Sequence, residues 1–238
     1  MTWIEETGST NSDLVAAARD GAAHGLVLVA DHQTAGRGRI GRRWIAPPGG
    51  ALLCSILLRP AGPSMLHGAV WAVALAARAA VRPLGADRVE LKWPNDLMVA
   101  DRKLAGILAE GVDVGGTAAA VVVGIGLNVG WAEAPAEVAG TSVTLEELAG
   151  RRVDRAELLQ SFLTELAPLL ALWTDDPPAL LEDYRTNLAT LGRRVRVTLA
   201  AGDVVGDAIA VTPDGALVLQ TSGGRRTVTA GDVVHLRT

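Results

Sequence analysis

Apolar residues in the first 190 positions follow two patterns of spacing, one typical of helices and one typical of strands. In residues 64–82 they recur every three or four positions, which places them on one face of a helix. Short runs rich in valine, leucine and isoleucine predict strands instead. The helices are predicted at residues 10–20, 64–82, 155–173 and 178–189, and the strands at residues 25–30, 51–59, 89–93, 96–100, 103–112 and 117–129. Hairpin-linked strands with helices before and after them indicate a mixed β-sheet with helices on one face.

The pattern changes after Leu191-Gly192, where short segments of alternating apolar and polar residues replace the helices. Five such segments follow one another toward the C-terminus, separated by turns rich in glycine and aspartate. Successive short strands of this kind predict a small closed β-barrel. The sequence therefore predicts an α+β fold with two domains, a larger one over residues 1–190 and a barrel over residues 191–238.

Composition narrows the classes of function. The formal net charge of −4 and the pI of about 5.6 argue against a basic protein that binds nucleic acid over an extended surface. The single cysteine, Cys54, lies inside an apolar run, so we expect a core residue and no disulfide framework. The N-terminus carries no signal peptide, and residues 69–81, the most apolar later segment, are too few to span a bilayer. We therefore expect a cytoplasmic protein without membrane contact.

Residues 31–50 form the most distinctive segment, because glycines and arginines are interleaved in it. Gly36, Gly38 and Gly41 match the dinucleotide pattern G-x-G-x-x-G, but Pro47-Pro48 follow and cannot open the helix that this pattern requires. The segment is instead predicted to be a loop whose guanidinium groups suit phosphate or carboxylate oxygens. A solvated basic loop, or one that contacts RNA, is the alternative. The guanidinium groups belong to Arg37, Arg39, Arg42 and Arg43.

Lysine is rare in this chain. Of its 22 basic residues only Lys92 and Lys103 are lysines, which suggests that a compact, flexible ammonium group is needed there. Regular alternation along the strand would place Lys103 and Ala105 on one face and Leu104 and Gly106 on the other. One of these faces is expected to point into a cleft, although Lys103 could also be a solvated residue at a strand edge.

Polar residues also mark several element boundaries. Asn95 and Asp96 follow a proline at a predicted turn, where Asp96 could hold the Mg²⁺ of a triphosphate or could simply cap the turn. Glycines within residues 121–129 imply that a ligand or another backbone approaches that strand, which Asn128 ends. The histidines lack metal-ligand spacing, so no protein-only metal site is predicted. Ser9, Thr10 and Asn11 stand at the start of the first helix, where they could cap it or bind a ligand.

Taken together, these segments resemble the catalytic domain of biotin–protein ligases. The stretches GSTN, HQTAGRGRIGRRW, KWPNDL…DRKLAGIL and GIGLN follow the motifs of that family in order and in rough spacing, over residues 9–128. Each stretch alone is weakly specific, whereas the ordered set is highly specific. Residues 191–238 are similar to the small SH3-like barrel of the family. The resemblance implies a class II synthetase-like catalytic domain followed by that barrel.

The resemblance also implies a reaction and roles for residues. Biotin and MgATP would give biotinyl-5′-AMP and pyrophosphate, and a lysine on a biotin carboxyl carrier domain of an acyl-CoA carboxylase would then attack the mixed anhydride. Lys103 and Arg39 would be catalytic, and Asp96 would hold Mg²⁺. The residues implied to bind biotin are Ser9, Thr10, Asn11, Gln33, Arg37, Gly38, Arg39, Lys103 and Gly106. The residues implied to bind ATP are Arg37, Arg39, Arg42, Trp44, Asn95, Asp96, Lys103 and Asn128.

Two other functions compete with this interpretation. A lipoate– or octanoate–protein transferase shares the fold and would have a differently shaped pocket. A non-enzymatic RNA- or nucleotide-binding module would act through the arginine loop alone. Some members of the family carry an N-terminal helix-turn-helix domain; because the first motif here begins at residue 8, we expect no such domain and no DNA binding.

Overall fold

The computed structural model describes residues 1–59, 66–114, 117–199 and 202–236. The sequence also predicts a turn at Gly115-Gly116, between the strands at residues 103–112 and 117–129, and this turn lies outside the described residues. The helices are α1 (Thr10–Arg19), α2 (Leu66–Val81), α3 (Leu145–Ala149), α4 (Arg155–Asp175) and α5 (Pro177–Thr186). The strands are β1 (Thr2–Thr7), β2 (Leu26–Gln33), β3 (Ala51–Leu58), β4 (Val89–Lys92), β5 (Asp96–Val99), β6 (Arg102–Val114), β7 (Thr117–Asn128), β8 (Arg194–Leu199), β9 (Gly202–Val211), β10 (Leu217–Thr221), β11 (Gly224–Val228) and β12 (Asp232–His235).

Seven strands form the larger sheet, in the order β1-β2-β3-β7-β6-β5-β4. Strands β1 and β2 are parallel, and the other neighbours are antiparallel, so the predicted mixed sheet is confirmed. Strand β1 was not predicted, because four of its six residues are threonine or glutamate, and the adjacent Glu5-Glu6 breaks the alternation of apolar and polar residues. It lies at the sheet edge, where one-sided pairing tolerates such a sequence.

The core of this sheet lies on both of its faces. Strand β3 is buried along its whole length. Leu52, Cys54 and Ile56 belong to the main core with α2, α4 and α5, whereas Leu57 packs with Leu14 of α1 in a second cluster. Helices α2, α4 and α5 therefore share one face, as predicted, and α1 occupies the opposite face, which was not predicted. Burial raises the pKa of the Cys54 thiol to about 12, which fits the core role expected for it.

The five C-terminal strands form an antiparallel sheet in the order β11-β10-β9-β8-β12. The predicted closed barrel is wrong in this respect, because closure needs a ladder between the first and last strands of the order. Among the described residues β11 and β12 form no such ladder. Strand β12 is only four residues long and pairs with β8 alone, which leaves the sheet open between β12 and β11.

The smaller sheet is fixed to the larger one by buried hydrogen bonds. Trp93 donates from Nε1 to the carbonyl of Gly215 at 2.9 Å, and its backbone N–H donates to Thr190 Oγ1 at 3.0 Å. Arg185 of α5 donates from Nε to the carbonyl of Val211 at 3.0 Å. Two of these contacts, to Gly215 and Val211, attach the connection between β9 and β10 to the larger domain. No helix within the described residues has the length and apolar character needed to cross a membrane.

Candidate active site

A cavity opens where β3, β6 and β7 meet the arginine loop and the start of α1. The larger sheet forms its floor, and Gly231 and Asp232 from the C-terminal sheet reach its rim. Segments that are far apart in the chain thus meet in one place. Of the residues predicted to bind ligands, those that line the cavity are Ser9, Thr10, Asn11, Gln33, Arg37, Gly38, Arg39, Arg42, Trp44, Asn95, Asp96, Lys103 and Gly106.

One end of the cavity carries uncharged polar groups. Gln33 Oε1 accepts hydrogen bonds from the backbone N–H of Thr10 at 2.8 Å and from its hydroxyl at 3.0 Å. The Thr10 hydroxyl also lies 2.7 Å from the hydroxyl of Ser55, which donates to Asn11 Oδ1 at 2.7 Å. Ser9 occupies the N-cap position of α1, yet its side chain makes no capping bond, so the capping alternative does not account for its hydroxyl.

Ser55 was missed by the sequence reasoning. It is 1% exposed and sits in the apolar strand β3, where a serine carries no motif signal. A buried hydroxyl needs hydrogen-bond partners, and its contacts to Thr10 and Asn11 satisfy that need. The sequence did contain one sign of its role, because a single polar residue interrupts a predicted buried strand. Burial of a polar side chain costs free energy unless the side chain is hydrogen-bonded.

The arginine loop is a short hairpin that folds over the cavity. Arg37 and Arg43 pair as an antiparallel bridge, and Gly38 N–H donates to the carbonyl of Arg42 at 2.7 Å. The tip turns through Ile40 and Gly41, both with positive φ. Glycine is required at position 36, since an added Cβ would lie 2.5 Å from the carbonyl oxygen of Trp44. The segment is therefore a defined turn that aims its side chains at the cavity.

The Trp44 ring packs directly against the backbone of two glycines, Gly106 and Gly126. A Cβ at Gly126 would lie 2.3 Å from Trp44 Cε2, and one at Gly106 would lie 3.1 Å from Trp44 Cζ3. The glycines in β6 and β7 thus allow the close approach that the sequence indicated, although the approaching group is a side chain of the same protein. The indole Nε1 is buried and donates to no atom among the described residues. Such an orphan donor marks a place where a ligand acceptor would be favoured.

Lys103 provides the ammonium group at the other end of the cavity. Its Nζ lies 2.6 Å from Asp96 Oδ1 and 5.7 Å from the centre of the Trp44 ring. The two charged atoms form a close ion pair. A carboxylate has about four acceptor positions, so Asp96 can accept from another donor or cation as well.

The predicted alternation along β6 is wrong at this point. Leu97 pairs with Ala105 and Met98 pairs with Lys103, so Leu104 is an extra residue in a β-bulge. The bulge shifts the pleat by one position and turns Lys103 toward the same side as Gly106, where a Cβ would meet Lys103 Nζ at 2.9 Å. Both residues consequently line the cavity.

Arg39 and Asn95 meet beside Lys103. Arg39 Nη1 donates to Asn95 Oδ1 at 3.3 Å, and Asn95 Nδ2 donates to the carbonyl of Ile107 at 2.6 Å. Asn95 thus presents its oxygen to the guanidinium because its nitrogen is already engaged. Burial lowers the pKa of Arg39, and the negative charge of Asp96 opposes that change.

Arg42 connects the loop to the C-terminal sheet. Its Nη2 donates to Asp232 Oδ2 at 2.9 Å. This hydrogen bond raises the pKa of Arg42 and lowers the pKa of Asp232. Asp232 was missed because it lies 190 positions from Arg42 in a segment without a motif. The contact places a C-terminal carboxylate at the edge of the cavity.

Asn128 differs from the other predicted site residues, since it does not line the cavity. It is 3% exposed, and its Nδ2 donates to the carbonyls of Lys103 at 3.1 Å and Val143 at 3.3 Å. Both amide hydrogens are therefore used inside the protein. The geometry gives Asn128 the task of holding the backbone of Lys103 in place.

Comparison with known proteins agrees with this geometry. The model of the biotin/lipoate A/B protein ligase family matches residues 6–128, and that of the biotin protein ligase C terminal domain matches residues 190–236. The biotin–[acetyl-CoA-carboxylase] ligase of Mycobacterium tuberculosis is 42% identical over 98% of this chain and 88% of its own length. The bifunctional ligase/repressor BirA of Escherichia coli is 35% identical over 84% of this chain and 63% of its own length.

A solved structure gives the same result for the fold. The biotin protein ligase from Aquifex aeolicus in complex with biotin and ATP superposes with a TM-score of 0.84 and 28% sequence identity, over 100% of this chain and 98% of the other. The superposition includes both sheets. The two family models together include every motif around the cavity. The chain therefore belongs to the biotin/lipoate A/B protein ligase family, and within that family to the biotin protein ligases.

Proposed function

We propose that this chain activates biotin with ATP and transfers the biotinyl group to a lysine of a biotin carboxyl carrier domain of acyl-CoA carboxylases. The observation that carries the proposal is one cavity with two different ends. An uncharged hydrogen-bonding end at Thr10 and Gln33 is joined, along a floor of glycines, to a cationic end at Arg39 and Lys103. Biotin has an uncharged ureido group at one end and a carboxylate at the other.

The polar end suits a cyclic urea. Three close contacts link Gln33, Thr10, Ser55 and Asn11 through hydroxyl groups, but the two hydroxyls supply only two hydrogens. One acceptor position in this cluster consequently lacks a hydroxyl hydrogen. A ureido N–H of biotin can donate to that acceptor, and the ureido carbonyl of biotin can accept from a neighbouring donor. The residues we assign to this end are Ser9, Thr10, Gln33 and the backbone of Arg37 and Gly38.

The cationic end suits the first chemical step. A carboxylate oxygen of biotin attacks the α-phosphorus of ATP, an O–P bond forms, and pyrophosphate leaves. Both reactants are anionic, so Lys103 and Arg39 lower their repulsion and stabilise the charge that develops, an effect of about 3 kcal/mol for one well-placed group. In the second step the neutral amine of the acceptor lysine attacks the acyl carbon, and AMP leaves with the bonding electrons. Arg42, Trp44 and Asn95 are assigned to the nucleotide.

The residues present also fit a magnesium ion that arrives with ATP. Among the described residues, Asp96 supplies a carboxylate to this end of the cavity, and carboxylate oxygens are the protein ligands that Mg²⁺ takes; its Oδ1 also pairs with the Lys103 ammonium at 2.6 Å. No cluster of three or more acidic, histidine or cysteine side chains that could hold a metal is found there. A Mg²⁺ beside Asp96 would therefore take most of its ligands from phosphate and water, and would neutralise charge on the phosphates.

The test is incubation of the purified chain with ATP, labelled biotin and a carrier domain, followed by detection of label on the carrier. Label that depends on ATP and on the acceptor lysine supports the proposal. The lipoate or octanoate alternative is tested in parallel with labelled octanoate, and transfer of octanoate without transfer of biotin would refute the biotin assignment. A cytoplasmic location, where ATP is available, is part of the same proposal.

A further inference from the structure

Glu110 lies behind the polar end of the cavity and was not predicted to have a role. Its Oε2 accepts from Asn11 Nδ2 at 2.9 Å, and its Oε1 pairs with Arg37 Nη2 at 2.8 Å. The carboxylate is 21% exposed and does not line the cavity itself. It therefore touches two cavity residues from two different elements, the start of α1 and the arginine loop.

The Glu110 carboxylate sets the direction of the neighbouring hydrogen bonds. An ionised carboxylate only accepts, as does the carbonyl of Leu108, which Asn11 Nδ2 also reaches at 3.1 Å. The Asn11 nitrogen must face these two acceptors, so its oxygen faces Ser55. The Ser55 hydroxyl then donates to Asn11, so its oxygen is left as an acceptor beside the cavity. The polar end consequently presents acceptors to a ligand.

We propose that Glu110 is a positioning residue for biotin, because it fixes this hydrogen-bond direction and holds Arg37 over the cavity. The inference rests on the function proposed above. It assigns to one carboxylate two tasks that no other described residue combines: orienting Asn11 and anchoring the loop at its first arginine. Within the described residues the Arg37 guanidinium has one other hydrogen bond, from Nη1 to Ser12 Oγ at 3.3 Å, which is longer and has an uncharged acceptor.

The variant Glu110→Gln tests this role, since glutamine keeps the shape but has only one acceptor oxygen. Two donors, Asn11 Nδ2 and Arg37 Nη2, face the group, so one of them must meet an amide nitrogen and lose its bond. Charge-assisted hydrogen bonds of this kind correspond to about a tenfold change in an equilibrium. The KM for biotin in adenylate formation is expected to rise about tenfold, whereas the KM for ATP changes less than about twofold, since Glu110 touches only the biotin end.

Asp113→Asn is the matched control, because it also replaces a carboxylate of β6 by an amide. Asp113 is exposed. It is expected to leave both KM values and the unfolding midpoint as in the wild type. In an Arg37→Gln background, the effect of Glu110→Gln on the biotin KM is expected to shrink, because one of the two contacts is already lost.

The outcomes separate this inference from the proposed function. A rise in the biotin KM alone supports the inference. Unchanged kinetics, or equal rises for biotin and ATP with a lowered unfolding midpoint, would overturn it, since the latter pattern is that of general destabilisation. If the wild-type chain forms no biotinyl-adenylate, the proposed function fails, and the positioning role fails with it.

Discussion

Replacement of Lys103 by methionine gives the most direct test of the cationic end. Methionine fills a similar volume and removes the charge. The ammonium that lies 2.6 Å from Asp96 and beside Trp44 is then absent when the two anionic reactants meet. The expected result is a large loss in the rate of adenylate formation with the fold retained.

The size of that loss follows from two opposing terms. Two unit charges 4 Å apart near a protein surface interact by about 4 kcal/mol, and loss of one preorganised donor typically costs about 3–4 kcal/mol in the transition state. The free enzyme already pairs Lys103 with Asp96, and a partly exposed pair of this kind is worth about 1 kcal/mol, which reduces the net loss. The net loss is about 2–3 kcal/mol, or about 30- to 150-fold in kcat/KM.

The assay is biotin-dependent pyrophosphate release, with thermal unfolding measured on the same sample. Without its ammonium partner the Asp96 carboxylate stays partly buried, so a decrease of about 1–2 kcal/mol in the free energy of unfolding is also expected. A folded Lys103→Met protein whose kcat/KM lies within threefold of the wild type would refute the role given to this ammonium.

Three further changes test other parts of the molecule. Gly126→Ala places a Cβ 2.3 Å from the Trp44 ring, so the ring must move and the KM for ATP should rise about tenfold. Asp232→Asn removes an exposed ion pair with Arg42, and release of biotinyl-adenylate should become about two- to fivefold faster. His235 has its pKa lowered from 6.5 to about 4, mainly by burial. The unfolded chain therefore binds more protons between these values, and stability should fall as pH decreases from 6.5 to 4.

Each of these expectations has a matching control or contrary result. Gly223→Ala meets no atom closer than 3.9 Å, so an ATP KM that rises equally in this variant would remove the steric explanation for Gly126→Ala. An unchanged stopped-flow release rate in Asp232→Asn would show that the C-terminal carboxylate does not restrain the loop. For the titration, His235→Asn should flatten the dependence of unfolding free energy on pH, and an unaltered slope would assign it to other groups.

The elements and the members of the site were predictable because their signals are local. Apolar periodicity located the strands and long helices, and the glycine–arginine loop was excluded from a helix by Pro47-Pro48. Motifs such as KWPND carry their chemistry in adjacent residues. Thirteen of the predicted ligand-binding residues, all except Asn128, line one cavity, although the roles given to them in binding stay predictions.

What the sequence did not predict depends on pairing between distant segments. The bulge at Leu104 arises from the register between β5 and β6, and no local rule places it. Ser55, Glu110 and Asp232 acquire their positions only when β3, β6 and β12 are brought together. A closed barrel was expected because alternation predicts strands, but alternation carries no information about whether the first and last strands pair.

Several cations around the cavity are already neutralised by carboxylates of the chain. The internal carboxylate offsets part of the attraction between such a cation and an anionic ligand, because the carboxylate repels the ligand. These pairs therefore hold the loop and the strand ends in place while the cavity is empty. The pairs are Arg37 with Glu110, Lys103 with Asp96, and Arg42 with Asp232.

Arg39 is held in a different way. Its hydrogen-bond partner is the neutral amide oxygen of Asn95, and burial lowers its pKa, so its positive charge is kept at a cost in free energy. An anion bound beside Arg39 offsets that cost without displacing a carboxylate. The attraction for an anionic nucleotide or for the acyl-adenylate is consequently least reduced at Arg39, whereas the uncharged ring of biotin gains nothing there. The ends of the cavity thus differ in charge and in the ligand that each one favours.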